Sequence, residues 1–317
     1  MTAKTKVRDV AGPNCEKLSA GERAVPKRLD LDPYRAATNG RFRLRDHRPD
    51  FLPAGATREK AAALLADLSE RIRDHQEHLY AHDRWSLLLI LQGLDAAGKD
   101  SAIEHVFEGV NPQACQVHAF KIPSEEEIDH DFLWRTNRHL PRRGHIGIFN
   151  RSYYEEVLVV RVHPELLGRQ RLPQSLVTDR IWRQRFDDIV AHERHLSRNG
   201  TMVRKIFLHL SKAEQRRRLL ARLEDPQKLW KFSAGDIEER RLWQDYQHAY
   251  DEAIRYTTTT DAPWYVVPAD RKWWARVVIG AVIVDALERM DLRYPALSDA
   301  ERRDLERIKR RLQRSSL

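Results

Sequence analysis

Three stretches of this sequence combine residue types and spacings that could do chemistry on anions. The first is "LLLILQGLDAAGKDSAIEHVF", in which an apolar run leads into Gly93, four residues follow, and Gly98 and Lys99 open a helical pattern. Small residues there let backbone N–H groups curl around an anion, the helix N-terminus favours negative charge, and Lys99 adds a point charge. This predicts a phosphate-binding loop over Gly93–Ser101, with Ala97 and Gly98 among its small residues. A GxxxxGK loop is usually followed by Ser or Thr, whose hydroxyl reaches magnesium, but position 100 is Asp. Asp95, inside the loop, is the natural replacement, because magnesium takes one or two carboxylates and keeps its other positions for water and phosphate. Asp100 suits a first-turn carboxylate favoured by the helix dipole, and Ser101 is a weaker hydroxyl candidate.

The second stretch, "HIGIFNRSYYEEVLVVRVH", ends a short apolar strand at Phe149 and sets Asn150, Arg151 and Glu155 beyond it. Ligands of open α/β sheets bind at that carboxyl edge. A turn carrying a surface arginine explains the same residues, and only the neighbouring loop weights the reading towards a site. The third stretch, "RRRLLARLEDPQKLWKFSAGD", carries Arg218 and Arg222 four residues apart on one helix face, with Lys228 and Lys231 among Trp230 and Phe232. A charge-rich run is usually a solvated face; aromatic residues among the cations fit a lid over an anionic ligand.

Five aliphatic segments separated by helical ones must position these residues: Ser86–Gln92, Gln116–Ile122, Ile146–Phe149, Met202–Leu210 and Trp264–Val267. Such alternation predicts an α/β fold, a parallel sheet flanked by helices. Before the first strand, Ala61, Leu64, Leu65, Leu68, Ile72 and Leu79 recur at helical spacing. Capping boxes at Ser124/Glu127, Ser211/Glu214 and Ser298/Glu301 mark helix starts. Long helices are expected around 179–198 and 237–255.

The chain has 317 residues and a net charge of +9. The excess sits at the ends: residues 1–56 carry 12 basic and 7 acidic side chains and residues 297–317 carry 7 and 4, leaving 57–296 at +1. A polyanion site in the body must therefore come from focused cations, not a general positive field, and nucleic acid is not an expected partner. No apolar stretch approaches the ~20 residues of a spanning helix and no signal-peptide core follows Met1, so a cytoplasmic protein without membrane association is expected. Cys15 and Cys115 form no CxxC pair, and the histidines, including His75, His78, His82 and the "HERH" at 192–195, make no HExxH.

Taken in order, "GLDAAGKD", "GIFNRSYYEEV", "RLEDPQKLWKFSAGD", "WQDYQHAYDEAI" and "TTTTDAPWYVVPADRKWWAR" resemble the polyphosphate kinase 2 family across about residues 58–295. The resemblance implies a P-loop kinase fold related to thymidylate kinase, with a helical lid at about 216–256. It also implies magnesium dependence, phosphoryl transfer between inorganic polyphosphate and adenine or guanine nucleotides, and association into dimers or tetramers. By it, Asp95 serves magnesium and acceptor phosphate, Lys99 is the loop lysine, Arg151 follows the second motif and Arg222 is a lid arginine. Asn150 and Glu155, where strict diphosphate kinases of the family read "FDRSWYN", imply nucleotide contacts of the branch that accepts both AMP and ADP. Lys121, Arg135, Lys228 and Lys231 would extend a basic track for polyphosphate, beside which a plain surface role stands for each. The domain layout expected is a basic N-terminal arm over 1–56, a kinase domain over 57–296 and a basic C-terminal helix over 297–317. An ATP-dependent nucleoside monophosphate kinase and a non-catalytic polyanion-binding protein are the competing readings.

Overall fold

The computed structural model describes residues 28–227, 229–231, 233 and 235–314, with nothing said of the Lys231 side chain. Chain order gives α1 (Arg58–His82), β1 (Ser86–Gln92), α2 (Lys99–Val106), β2 (Cys115–Ala119), and the single turns α3 (Glu125–Ile128) and α4 (Trp134–Asn137). Then come β3 (Ile146–Asn150), the single turn α5 (Val159–Val162), α6 (Ile181–Arg198), β4 (Thr201–His209) and α7 (Lys212–Glu224). The remaining elements are α8 (Gly235–Arg241), α9 (Trp243–Thr257), β5 (Trp264–Pro268), α10 (Lys272–Glu288) and α11 (Asp299–Arg314).

The five strands form one parallel sheet in the order β2-β3-β1-β4-β5. β1 is buried at every position, which is why it reads as an unbroken apolar run. Successive side chains point to opposite faces. Leu87, Leu89 and Leu91 join the cluster under α1, α2 and α10, whereas Leu88 and Ile90 join the one under α6 and α9. α10 is apolar nearly all round because it lies between the sheet and α1, and Gly280 lets it approach Leu68 closely.

The structure departs from the sequence reading at several points. β2 is an edge strand that stops at Ala119, leaving Ile122 exposed; its half-exposed pattern blurs the signal. The helix expected over 237–255 is two helices broken at Leu242. Ser211 accepts from the Glu214 amide, but the Glu214 carboxylate turns to Arg217 and Arg218 instead of closing the box. Residues 34–44, assigned from sequence to an arm, place Tyr34, Ala36, Phe42 and Leu44 in the core. They are fastened there by Ala36 N–H donating to Trp264 O (2.9 Å), Trp274 Nε1 to Tyr34 Oη (3.1 Å) and Leu44 N–H to Asp251 (2.6 Å). Among the described residues no helix is long and apolar enough to cross a membrane.

Candidate active site

The loop leaves β1, the middle strand, at the carboxyl edge of the sheet. Gly93 is needed because a Cβ there would stand 3.1 Å from Ala97 Cβ, Leu208 Cβ and Leu208 O. Gly98 caps α2 with φ 103°, a conformation that costs glycine little. Between them Ala96 is left-handed at φ 63° without being glycine, strain of the kind held at functional turns. Lys99 is buried and its Nζ donates to Gly93 O at 2.6 Å. Burial and the nearby Arg151 lower its pKa, against the opposing pull of Asp95, Glu155 and Asp100.

Arg151, like Ala96, is left-handed without being glycine, at φ 66°, as the chain turns off β3. The turn aims its guanidinium across the loop: Nη2 donates to Asp95 Oδ1 at 2.9 Å and Nη1 to Glu155 Oε2 at 3.1 Å. Gln92 Nε2 holds the other Glu155 oxygen at 3.1 Å. Burial opposes the Arg151 charge, but Glu155 and Asp95 outweigh it and raise the pKa. Asn150 Nδ2 donates to Asp100 Oδ1 at 2.6 Å, so the residue after the loop lysine is tied to the end of β3.

The two helix-face arginines of α7 divide the work. Arg218 is buried; its Nη1 donates to Ala96 O (3.0 Å) and Ala97 O (2.9 Å), and its Nε to Glu214 (2.8 Å). It therefore shapes the loop from below. Arg222 lies further out and pairs with Asp236 of α8 at 3.1 Å. Gln215 Nε2 donates to Asp95 O at 3.1 Å, a third fastening of the loop to α7.

Gly93, Asp95, Arg151 and Glu155 share one cleft with Gln215, Glu239, Trp243, Tyr246 and Tyr250. The aromatic wall is absent from the sequence-derived site, although the spacing of 243, 246 and 250 in "WQDYQHAYDEAI" puts these rings on one face of α9. Tyr246 Oη donates to Glu239 at 2.5 Å, and Glu239 also meets His163. Lys121 and Arg135 lie elsewhere. Arg135 is buried, donates to Lys121 O at 2.9 Å and lines a second pocket at the β2 edge with His118, Phe120 and His139. Ser101 accepts from Arg276 Nη2 at 2.8 Å. Lys228 and the Lys231 side chain lie outside the described residues.

Asp95 spends Oδ1 on Arg151, and Asp236 pairs with Arg222; burial and the charge of Asp95 raise the Asp236 pKa against the pull of Arg222 and Arg151, and both side chains offer the hard oxygen donors that a divalent cation takes. Among the described residues no three potential metal ligands cluster.

A parallel sheet whose middle strand feeds a glycine turn, a buried lysine and a helix defines the P-loop kinase class of fold. The chain belongs to the polyphosphate kinase 2 family, whose model matches residues 55–295. It is 49% identical over 261 residues to an ADP-polyphosphate phosphotransferase of Rhodopseudomonas palustris, covering 82% of this chain and 90% of the relative. It is 44% identical over 263 residues to an AMP/ADP-polyphosphate phosphotransferase of Meiothermus ruber, covering 83% and 94%. The crystal structure of polyphosphate kinase 2 from Arthrobacter aurescens TC1 superposes with a TM-score of 0.79 at 37% identity, over 88% of this chain and 98% of that one.

Proposed function

We propose that this chain moves a phosphoryl group between inorganic polyphosphate and adenine nucleotides, ADP and AMP both serving as acceptors. The observation that carries the reading is the meeting of Arg151 and Asp95 in one cleft of a polyphosphate kinase 2 chain, with Lys99 bound to Gly93 in the cleft wall. Phosphoryl transfer passes through a loose, charge-spread transition state, so positioning and electrostatic stabilisation dominate. The loop amides and Lys99 hold the phosphates flanking the transferred group. Arg151, fixed by Glu155 and Asp95, neutralises charge as a bridging oxygen leaves polyphosphate and a terminal oxygen of the nucleotide attacks. Arg222, at the outer end of α7, adds a second cation. Trp243, Tyr246 and Tyr250 offer a flat wall for the base, a surface that does not choose between adenine and guanine by hydrogen bonding. Asp95 and Asp236 would hold magnesium, and the chemistry supplied by that ion is charge neutralisation and alignment of phosphate oxygens.

Acceptance of AMP as well as ADP is supported by the kinship with the Meiothermus ruber protein, while the Rhodopseudomonas palustris relative is named for ADP alone. The motif-bearing kinase unit is assigned to 57–296, with residues 34–44 of the basic N-terminal part packed into its core, in a cytoplasmic homo-oligomer. The test is ATP formation from ADP and magnesium with polyphosphate as sole donor, against a control without polyphosphate. ATP only with polyphosphate, lost on chelation, is the expected result. Equal ATP in the control means monophosphate-kinase chemistry instead, and no ATP in either arm leaves a binding protein.

A further inference from the structure

The carbonyls of Asp95, Ala96 and Ala97 all meet side chains from one face of α7. Arg218 takes Ala96 O and Ala97 O, and Gln215, one turn earlier on that face, donates to Asp95 O at 3.1 Å. Gln215 is 3% exposed, so its amide must find its partners inside the protein. Those partners fix which way it points: Arg240 can only donate and meets Oε1 at 2.8 Å, whereas the Asp95 carbonyl can only accept and meets Nε2. Arg240 Nη1 is itself anchored on Lys212 O at 2.7 Å. Glu239, the residue before it on α8, meets Tyr246 and His163, so α8 is braced on the aromatic side of the cleft as well. A trans peptide points its N–H opposite to its C=O. Holding Asp95 O towards α7 therefore turns the Ala96 N–H away from it. Rotating that single peptide would reverse the N–H and carry Ala96 out of its left-handed φ of 63°, so the strained setting needs a restraint, and Gln215 supplies one.

We propose that Gln215 is a positioning residue for phosphoryl transfer, locking the Asp95–Ala96 peptide so that the Ala96 N–H is aimed at the anion on the loop, and that Arg240 acts through Gln215 by holding its amide in register. This deepens the proposed function and rests on it. An anion-binding loop stabilises developing charge through N–H groups fixed before that charge appears, and a peptide free to flip between two settings forfeits part of the effect. The Ala97 N–H is already spent on Leu94 O at 3.1 Å, so the Ala96 N–H is the donor whose direction depends on Gln215. The same peptide carries the Asp95 carboxylate that Arg151 grips, so one restraint serves both the loop amide and the charged pair.

The experiment separates the two hydrogen bonds of Gln215. Gln215→Met removes both at nearly constant volume, and Gln215→Glu keeps an acceptor for Arg240 while removing the donor to Asp95 O. Each is expected to lower kcat at least about tenfold, with KM for ADP and for polyphosphate within about twofold. Arg240→Met should lower kcat less, and Gln215→Met/Arg240→Met should match Gln215→Met within about twofold, because one residue works through the other. An unchanged kcat in Gln215→Glu overturns the proposal, as does a raised KM at constant kcat, which would make Gln215 a binding group. Losses that multiply in the double variant overturn the indirect role of Arg240. In the ligand-free full chain, amide hydrogen exchange over residues 94–98 should quicken about tenfold in both Gln215 variants while the rest of the protein and the thermal midpoint stay near wild type. Wild-type exchange in the loop, or exchange that quickens everywhere alike, also overturns the proposal. That readout needs no turnover, so it decides the role of Gln215 even if wild type forms no ATP and the kinase reading fails.

Discussion

Two constellations of the same chemistry lie in this protein, one sealed and one open. In the sealed one, Lys205 Nζ donates to Glu193 (2.5 Å), Tyr154 Oη (3.0 Å) and Thr257 O (2.7 Å), while Tyr153 and Tyr154 donate to the other Glu193 oxygen. Lys205 and Glu193 are 0% and 1% exposed, and burial pushes the lysine pKa down and the glutamate pKa up. In the open one, Arg151, Asp95 and Glu155 are 38%, 33% and 12% exposed. Composition does not separate them. Accessibility does: the sealed group spends its donors on its own acceptors and specifies a packing, whereas the open group keeps its charges within reach of solvent.

The comparison is broken most severely by removing the segment that completes the sealed side. A chain starting near Phe51 loses Tyr34, Ala36, Phe42 and Leu44, and burying each of the three large ones stabilises by about 1.5–3 kcal/mol. That approaches the whole 5–15 kcal/mol of typical net stability. Insolubility or loss of the cooperative unfolding transition is expected, checked by solubility and circular dichroism. Next, Lys205→Met alone should destabilise by about 3–5 kcal/mol in denaturant titration, because Glu193 is left buried and unpaired. Lys205→Met/Glu193→Leu should recover part of that loss; no recovery would mean that the tyrosines, not the charge, carry the cost.

Truncating Asp95 in the open constellation, or the buried Lys99 beside it, should cost turnover far more than stability. Lys99→Ala and Asp95→Ala are each expected to lower kcat at least ~100-fold, the scale of one preorganised electrostatic group, with the thermal midpoint and circular dichroism near wild type. Turnover near wild type in either variant removes the site assignment. The smallest effect is acid sensitivity at the rim of the sealed side. His192 packs edge-on to Tyr153, and burial lowers its pKa to about 4. A base whose pKa falls on folding contributes stability above its unfolded pKa of about 6.5 and loses it as pH drops towards 4. His192→Phe should remove about 2 kcal/mol of the acid-induced loss between those pH values. An unchanged pH profile would show that His192 titrates as in the unfolded chain.

The loop was legible because strand, glycines and lysine are contiguous, and its geometry follows from local sterics. β1, β3 and β5 were legible for a related reason, because buried parallel strands read as short apolar runs, and β4 shows such a run at Ile206–Leu208 behind Arg204 and Lys205. What escaped depends on contacts between distant residues. Arg218 and Arg222 share a helix face in sequence, yet only tertiary packing sets one under the Ala96–Ala97 carbonyls and the other against Asp236. The aromatic wall carries a helical signal of its own, but nothing local says that α9 turns it towards Asp95. Residues 34–44 hold few apolar side chains among charges, so their burial cannot be read without the hollow they fill. Asn150 was picked out for the nucleotide, and its hydrogen bond to Asp100 shows a second use that no spacing rule encodes.

The strap formed by residues 28–44 also has a bearing on how the chain reaches its fold. Arg35 bridges antiparallel to Tyr265, Ala36 donates to Trp264 O, and Tyr34 meets Trp274 across 240 positions. These contacts cover the outer edge of β5, an apolar strand whose free backbone groups would otherwise template pairing with another chain. During synthesis the strap precedes its docking surface by more than two hundred residues, and closing so long a loop carries an entropic penalty that local helices do not meet. Late protection of this edge is expected from that penalty, and aggregation of a chain whose strap has not docked should start at Trp264–Pro268.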